Sequence, residues 1–224
     1  MIDDQALLDS ADAAAGRPPL QAALAFTRAA DCEMAELDAR LLELHTERFG
    51  ARLEAVASCP ACEEELELVL DAAALGTRGR AARAEMDVEI GGSRVALRMP
   101  TAGDLAAVAA EADPRRARAA LAERCLVGTA PGPLSDDDVA AISVRMAERD
   151  PLGGSRVAVD CPACGDRSEL TLDLGWIVGR ELAAEAARIT DDVHAIASAY
   201  GWSEHDILAL PPARRERYLE RIVA

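Results

Sequence analysis

Two stretches of the chain match each other, and each carries a pair of cysteines. The first runs Ala57-Ser58-Cys59-Pro60-Ala61-Cys62-Glu63-Glu64-Glu65-Leu66-Glu67-Leu68-Val69-Leu70-Asp71. The second runs Val159-Asp160-Cys161-Pro162-Ala163-Cys164-Gly165-Asp166-Arg167-Ser168-Glu169-Leu170-Thr171-Leu172-Asp173. Each reads as a strand, a tight Cys-Pro-Ala-Cys turn and a second, alternating strand. Cysteines separated by two residues on such a turn aim both sulfurs at one point. Two turns then supply the four thiolates of a closed tetrahedral zinc site. Cys59, Cys62, Cys161 and Cys164 are therefore the expected ligands of a structural Zn2+. Residues 63–160 lie between the pairs, so the intervening chain must fold in a way that brings the turns back together. Proline at the second position stiffens each turn. Gly165 suits a turn position with positive φ, and Glu63 departs from that pattern in the first knuckle.

Two other uses of the cysteines stay open, buried thiols without metal and a redox pair. A redox Cys-x-x-Cys usually opens a helix that lowers the pKa of its first thiol. Both pairs here lie between strands instead. The compartment bears on the choice. No segment approaches the roughly 20 apolar residues of a membrane span. The start, Met1-Ile2-Asp3-Asp4, is acidic and lacks the basic region of a secretory leader. A cytoplasmic location is expected, where thiols stay reduced and metal is favoured over disulfides.

Half of the residues are apolar and only 3% aromatic, so a globular chain with an aliphatic core is expected. The net charge of −16 gives a surface that repels nucleic-acid phosphate and keeps the chain soluble.

Five segments follow from the patterning. Residues 1–50 read as helices, the last with Leu37, Leu41, Leu44 and Arg48 on one face and Gly50 as its stop. Residues 51–100 hold the first knuckle and a hairpin, with Met86, Val88 and Ile90 alternating before Gly91-Gly92 and Val95, Leu97 and Met99 after it. Residues 101–150 read as a three-helix insertion, started by Thr101 with Asp104, by Asp113-Pro114 and by Ser135. Residues 151–175 hold the second knuckle. Residues 176–224 read as helical, with an apolar stripe of Leu182, Ala186, Ile189, Val193, Ile196 and Tyr200, then breaks at Gly201 and Pro211-Pro212.

Little else suggests chemistry. Cys32 and Cys125 stand alone among Ala and Leu and read as small buried hydrophobes. His45, His194 and His205 form no metal-binding spacing. Asp136-Asp137-Asp138 suits a first helical turn rather than a calcium loop. No catalytic residue is expected, and the chain is not read as an enzyme. All four Tyr and Trp residues fall late, at Trp176, Tyr200, Trp202 and Tyr218. Arg214, Arg215, Arg217 and Arg221 cluster with two of them, and Arg and aromatics are the types enriched at protein interfaces. The alternative is a helix pair docked on its own domain.

The run from Asp192 to Leu219 contains Tyr200-Gly201-Trp202-Ser203-Glu204-His205-Asp206-Ile207-Leu208-Ala209-Leu210-Pro211 and Arg214-Arg215-Glu216-Arg217-Tyr218-Leu219. It resembles the C-terminal signature of a baseplate-protein family of contractile-tailed phages and phage-tail-like contractile injection systems. The segments 41–50, Leu97-Arg98-Met99-Pro100-Thr101 with Asp104-Leu105, and the Cys-Pro-x-Cys knuckles are similar to the clade found in injection-system clusters. The resemblance implies a non-enzymatic part or assembly chaperone of the baseplate, with baseplate, spike or other tail proteins as partners. Zinc ligands are not implied by it; they rest on the cysteines of this chain.

The fold expected is α+β: a small β-rich zinc module of two knuckles, a helical insertion, and helical N- and C-terminal segments. The expected docking residues are Tyr200, Trp202, Arg214, Arg215, Arg217 and Tyr218. No nucleic acid, membrane or small-molecule substrate is expected, and the location is cytoplasmic or on the particle. A zinc-ribbon nucleic-acid-binding protein is the first rival reading, and a thiol oxidoreductase the second.

Overall fold

The computed structural model describes residues 2–76, 86–128, 132–149 and 156–223, which mix helices with small antiparallel sheets. Helix α1 (Asp4–Ala14) starts on Asp3, whose carboxylate accepts from the Ala6 amide at 2.8 Å. Gly16 and Pro18 end it, and α2 (Pro19–Thr27) follows. Helix α3 (Met34–Phe49) buries Leu37, Asp38, Leu41, Leu42 and His45. The buried stripe is thus rotated away from Leu44 and Arg48. His45 belongs to it because its Nε2 meets the carbonyl of Arg52 at 3.1 Å. Gly50, at φ 90°, turns the chain into β1 (Arg52–Ser58).

Strand β1 pairs antiparallel with β2 (Glu65–Asp71), from Arg52 opposite Asp71 to Ser58 opposite Glu65. Alternation puts Leu53, Ala55 and Leu66 inside and Glu54, Val56, Glu67 and Val69 outside. The Asp71 carboxylate accepts from Ala73 and Ala74 and starts a short α4 (Ala72–Gly76), which the sequence did not reveal. The sequence also suggests a loop at Arg78-Gly79-Arg80, which lies outside the described residues. Strands β3 (Met86–Ile90) and β4 (Ser93–Leu97) form the expected hairpin. Its turn residues Gly91 and Gly92 both have positive φ, 55° and 79°, as a type I′ turn requires.

Helices α5 (Ala102–Val108) and α6 (Pro114–Cys125) come next. A two-residue strand β5 (Leu126–Val127), absent from the sequence reading, pairs with β4. Helix α7 (Asp136–Arg149) begins at Ser135, whose Oγ accepts from the Asp138 amide at 3.2 Å. Strands β6 (Arg156–Asp160) and β7 (Arg167–Thr171) repeat the β1–β2 ribbon. Helix α8 (Leu174–Tyr200), α9 (Glu204–Leu208) and α10 (Pro212–Val223) close the chain. No helix among the described residues is long and apolar enough to cross a membrane.

The chain divides into two compact units, Met1–Phe26 with Trp176–Ala224, and Thr27–Gly175. The segment 1–50 is therefore split, and its first half joins the C-terminal helices. In the second unit the hairpin leaves the knuckles. Val88, Ile90, Val95 and Leu97 pack instead on Ala122, Cys125, Val139 and Ile142 of α6 and α7. The insertion is thus a mixed layer of sheet and helix rather than a bare three-helix block. Alternation marks which face of a hairpin is buried, not what covers it.

One buried carboxylate ties this layer together. Asp104 receives Arg98 Nη1 at 2.6 Å and Arg124 Nε at 3.0 Å, besides closing a capping box with Thr101. Burial would raise its pKa. The hydrogen bond from Arg98 and those from the Thr101 amide and hydroxyl outweigh that, and hold it well below the usual carboxylate range. Nearby, the amides of Ala102 and Gly103 donate to the carbonyls of Cys32 and Ala30, both at 2.8 Å.

In the other unit α8 buries Leu182, Ala186, Ile189, Val193 and Ile196. Tyr200, the sixth member of the expected stripe, stays 39% exposed.

Candidate metal centre

The two Cys-Pro-Ala-Cys turns have the same backbone. In the first, the Cys59 amide donates to Glu64 at 2.8 Å and the Glu63 amide to Cys59 at 2.9 Å. In the second, Cys161 donates to Asp166 and Gly165 to Cys161, both at 2.9 Å. Each turn thus extends its ladder by one bond and then reverses through a left-handed residue, Glu63 at φ 62° or Gly165 at φ 75°. In the second turn Ser168 Oγ also donates to the Asp166 carboxylate.

The ribbons meet over a small core of Cys59, Leu66, Val159 and Cys161, flanked by Leu68, Val157 and Leu170. Their turns converge crosswise. Cys59 Sγ lies 3.8 Å from Cys164 Sγ, and Cys62 Sγ lies 3.7 Å from Cys161 Sγ. All four sulfurs fall within 4.8 Å of one another, a group that could hold a metal ion. These separations are far longer than the ~2.05 Å of a disulfide, and the cysteines are free. The first cysteine of each turn is buried and the second exposed.

The thiols are electrostatically unequal. Backbone amides of Cys164 and Ala163, with sulfur neighbours, lower the pKa of Cys161 to about 7 against its burial. The Glu64 amide acts in the same direction on Cys62, but the surrounding sulfurs and burial outweigh it, and Cys62 is pushed up to about 12. Four thiolates this close repel one another, so full ionisation calls for a cation among them.

Cys32 and Cys125 are buried, as expected of small hydrophobes, and take no part. Cys32 donates to the Ala29 carbonyl at 2.9 Å. Burial pushes the Cys125 thiol up to about 11. His194 and His205 are exposed in the other unit.

The expected docking residues fall into two groups. Tyr200, Trp202 and Tyr218 pack mutually: Tyr200 and Trp202 stack with centroids 5.2 Å apart, and Tyr218 meets them edge-on at 5.5 and 4.9 Å. Arg214 and Arg217 are exposed beside them on α10. Arg215 differs. It is 5% exposed and bonded to the Asp4 carboxylate, so it anchors α10 to α1 and is not available to a partner. The sequence pattern missed this because Asp4 lies at the far end of the chain.

Comparison with protein-family models, curated proteins and solved structures gives no match.

Proposed function

We propose that the four cysteines bind one structural zinc ion and that the chain works through protein–protein contact, as a part or assembly factor of a contractile-injection or phage-tail baseplate. The observation that carries the metal reading is the crossed approach of the two turns. Sulfurs held at about 2.3 Å around a tetrahedral zinc are about 3.8 Å apart, which matches the pairs at 3.8 and 3.7 Å. Each ribbon has only two strands, and such ribbons are marginal in water by themselves. Their shared core is small. Zinc would close the long loop between the turns and supply folding free energy directly.

The docking reading is supported by the packed aromatic group beside exposed arginines, and the baseplate assignment by the resemblance of residues 192–219 to that family. A protein of net charge −16 is poorly suited to nucleic acid, and a thiol oxidoreductase would not need four converging sulfurs. The test is affinity capture of the tagged full chain from its native cytoplasm, with Tyr200→Ala and Arg217→Glu beside the wild type. Both side chains are exposed or half-exposed, so these variants spare the Arg215 anchor that truncation would remove. Recovery of baseplate, spike or sheath proteins by the wild type, and their loss in the variants, is the expected result. Recovery of RNA polymerase, nucleic acid or thioredoxin-type partners alone would overturn the reading.

A further inference from the structure

Arg214, Arg217, Tyr218 and Arg221 fall at i, i+3, i+4 and i+7 on α10, which places them on one helix face. The three arginines are exposed and have no ion pair among the described residues, although acidic residues outnumber arginines 40 to 24 in the chain. Arg40, Arg94, Arg145 and Arg188 are exposed and paired with acids, while Arg17, Arg28, Arg115 and Arg118 are, among the described residues, exposed and unpaired but scattered. The α10 arginines differ in sharing one helix face beside aromatic rings. Around the unpaired stripe, Tyr200 and Ile222 are 39% and 37% exposed.

The outer face of the β1–β2 ribbon has the opposite chemistry. Val56 and Val69 are 56% and 58% exposed, and the register sets Val56 opposite Glu67 and Glu54 opposite Val69. Glu65 and Glu67 are exposed on β2, Glu63 and Glu64 are exposed in the adjoining turn, and none of the four has an ion pair among the described residues. One face is therefore aromatic with unpaired arginines. The other is aliphatic with unpaired glutamates.

We infer that the α10 face of one copy docks on the β1–β2 face of a second copy, head to tail. The proposal rests on the docking reading above and names a partner for the same surface. Aromatic rings would cover the two valines, and Arg–Glu pairs would form the rim. The dimensions agree: a helix of 12 residues is about 18 Å long, and strands of 7 residues span about 23 Å. Two different patches meet in such a contact, so it continues from copy to copy into a ring or filament rather than stopping at a dimer. A face of this size gives weak, salt-sensitive association.

The experiment is sedimentation velocity of the zinc-loaded full chain at rising concentration, in low and high salt. The expected result is association that grows with concentration and weakens with salt. Arg217→Glu and Glu67→Arg, both at exposed positions, should each weaken it about tenfold or more. The decisive arm mixes the two variants. One keeps an intact ribbon face and the other an intact α10 face, so the mixture should associate under conditions where neither variant associates alone. A wild type that stays monomeric overturns the proposal, whether or not salt changes its shape. So does association that both variants retain, or a mixture that fails to pair. Affinity capture of baseplate proteins with the same variants separates the two readings. If Arg217→Glu loses those partners while the wild type is monomeric, the docking reading stands and self-association falls. If it loses neither, the docking reading falls as well.

Discussion

Glu63 and Gly165 hold the same place in the two cysteine turns, and both adopt a left-handed backbone, at φ 62° and 75°. Each amide donates at 2.9 Å to the carbonyl of the first cysteine in its turn. The turn geometry therefore demands positive φ whichever residue is present. Glycine adopts it freely, and a side chain pays about 1 kcal/mol or more.

Glu63→Gly should therefore stabilise the metal-loaded protein by about 0.5–1 kcal/mol, the strain relieved less the added freedom of the unfolded chain. Gly165→Ala should cost about 1–2 kcal/mol. Denaturant unfolding of the two variants checks this. A destabilised Glu63→Gly would contradict the shared left-handed requirement.

Asp104 gives a pH prediction. Its folded-state pKa lies below the ~3.9 of an aspartate in an unfolded chain. Its stabilisation is complete above about pH 4 and is lost as pH falls toward the folded value. Asp104→Asn should cost about 2–3 kcal/mol at neutral pH and less in acid. Unfolding curves of the variant and the wild type should converge as pH drops; parallel curves would contradict the ion-pair assignment.

Gly103 is pressed against another loop. A Cβ added there would lie 2.9 Å from the Ala30 carbonyl oxygen, which the Gly103 amide itself engages. Neither backbone can give way without losing that bond. Gly103→Ala should cost about 1–3 kcal/mol, visible as a lowered Tm.

Arg215 and Arg217 are two residues apart on α10 yet should respond differently. Arg215→Met leaves the Asp4 carboxylate, whose side chain is 13% exposed, without this partner and should cost about 2–4 kcal/mol. Arg217→Met should stay within about 0.5 kcal/mol. Thermal unfolding, with amide exchange on α10 as the local probe, separates the two.

These contrasts mark what could be read from the residues. The repeat made both knuckles legible, because cysteine spacing and alternation are local. Gly91-Gly92 likewise marked the hairpin, and Thr101, Asp113 and Ser135 act as the expected side-chain caps. What failed to show is long-range. Strand β5 exists because Leu126 and Val127 pair with Leu97 and Ala96, and two residues make no pattern. The hairpin's move onto α6 and α7 depends on Ala122, Cys125, Val139 and Ile142 facing it. His45 is buried because a carbonyl seven residues on satisfies it. Arg215 reads as a surface residue until Asp4 is found beside it.

The central claim is tested most directly by metal content. Protein purified under reducing conditions is assayed by plasma mass spectrometry, beside Cys161→Ser. One zinc per chain, lost on the substitution, is the predicted result, since one tetrahedral site needs all four sulfurs. Two zincs per chain, no zinc, or zinc fully retained by Cys161→Ser would contradict a single site shared by the two turns.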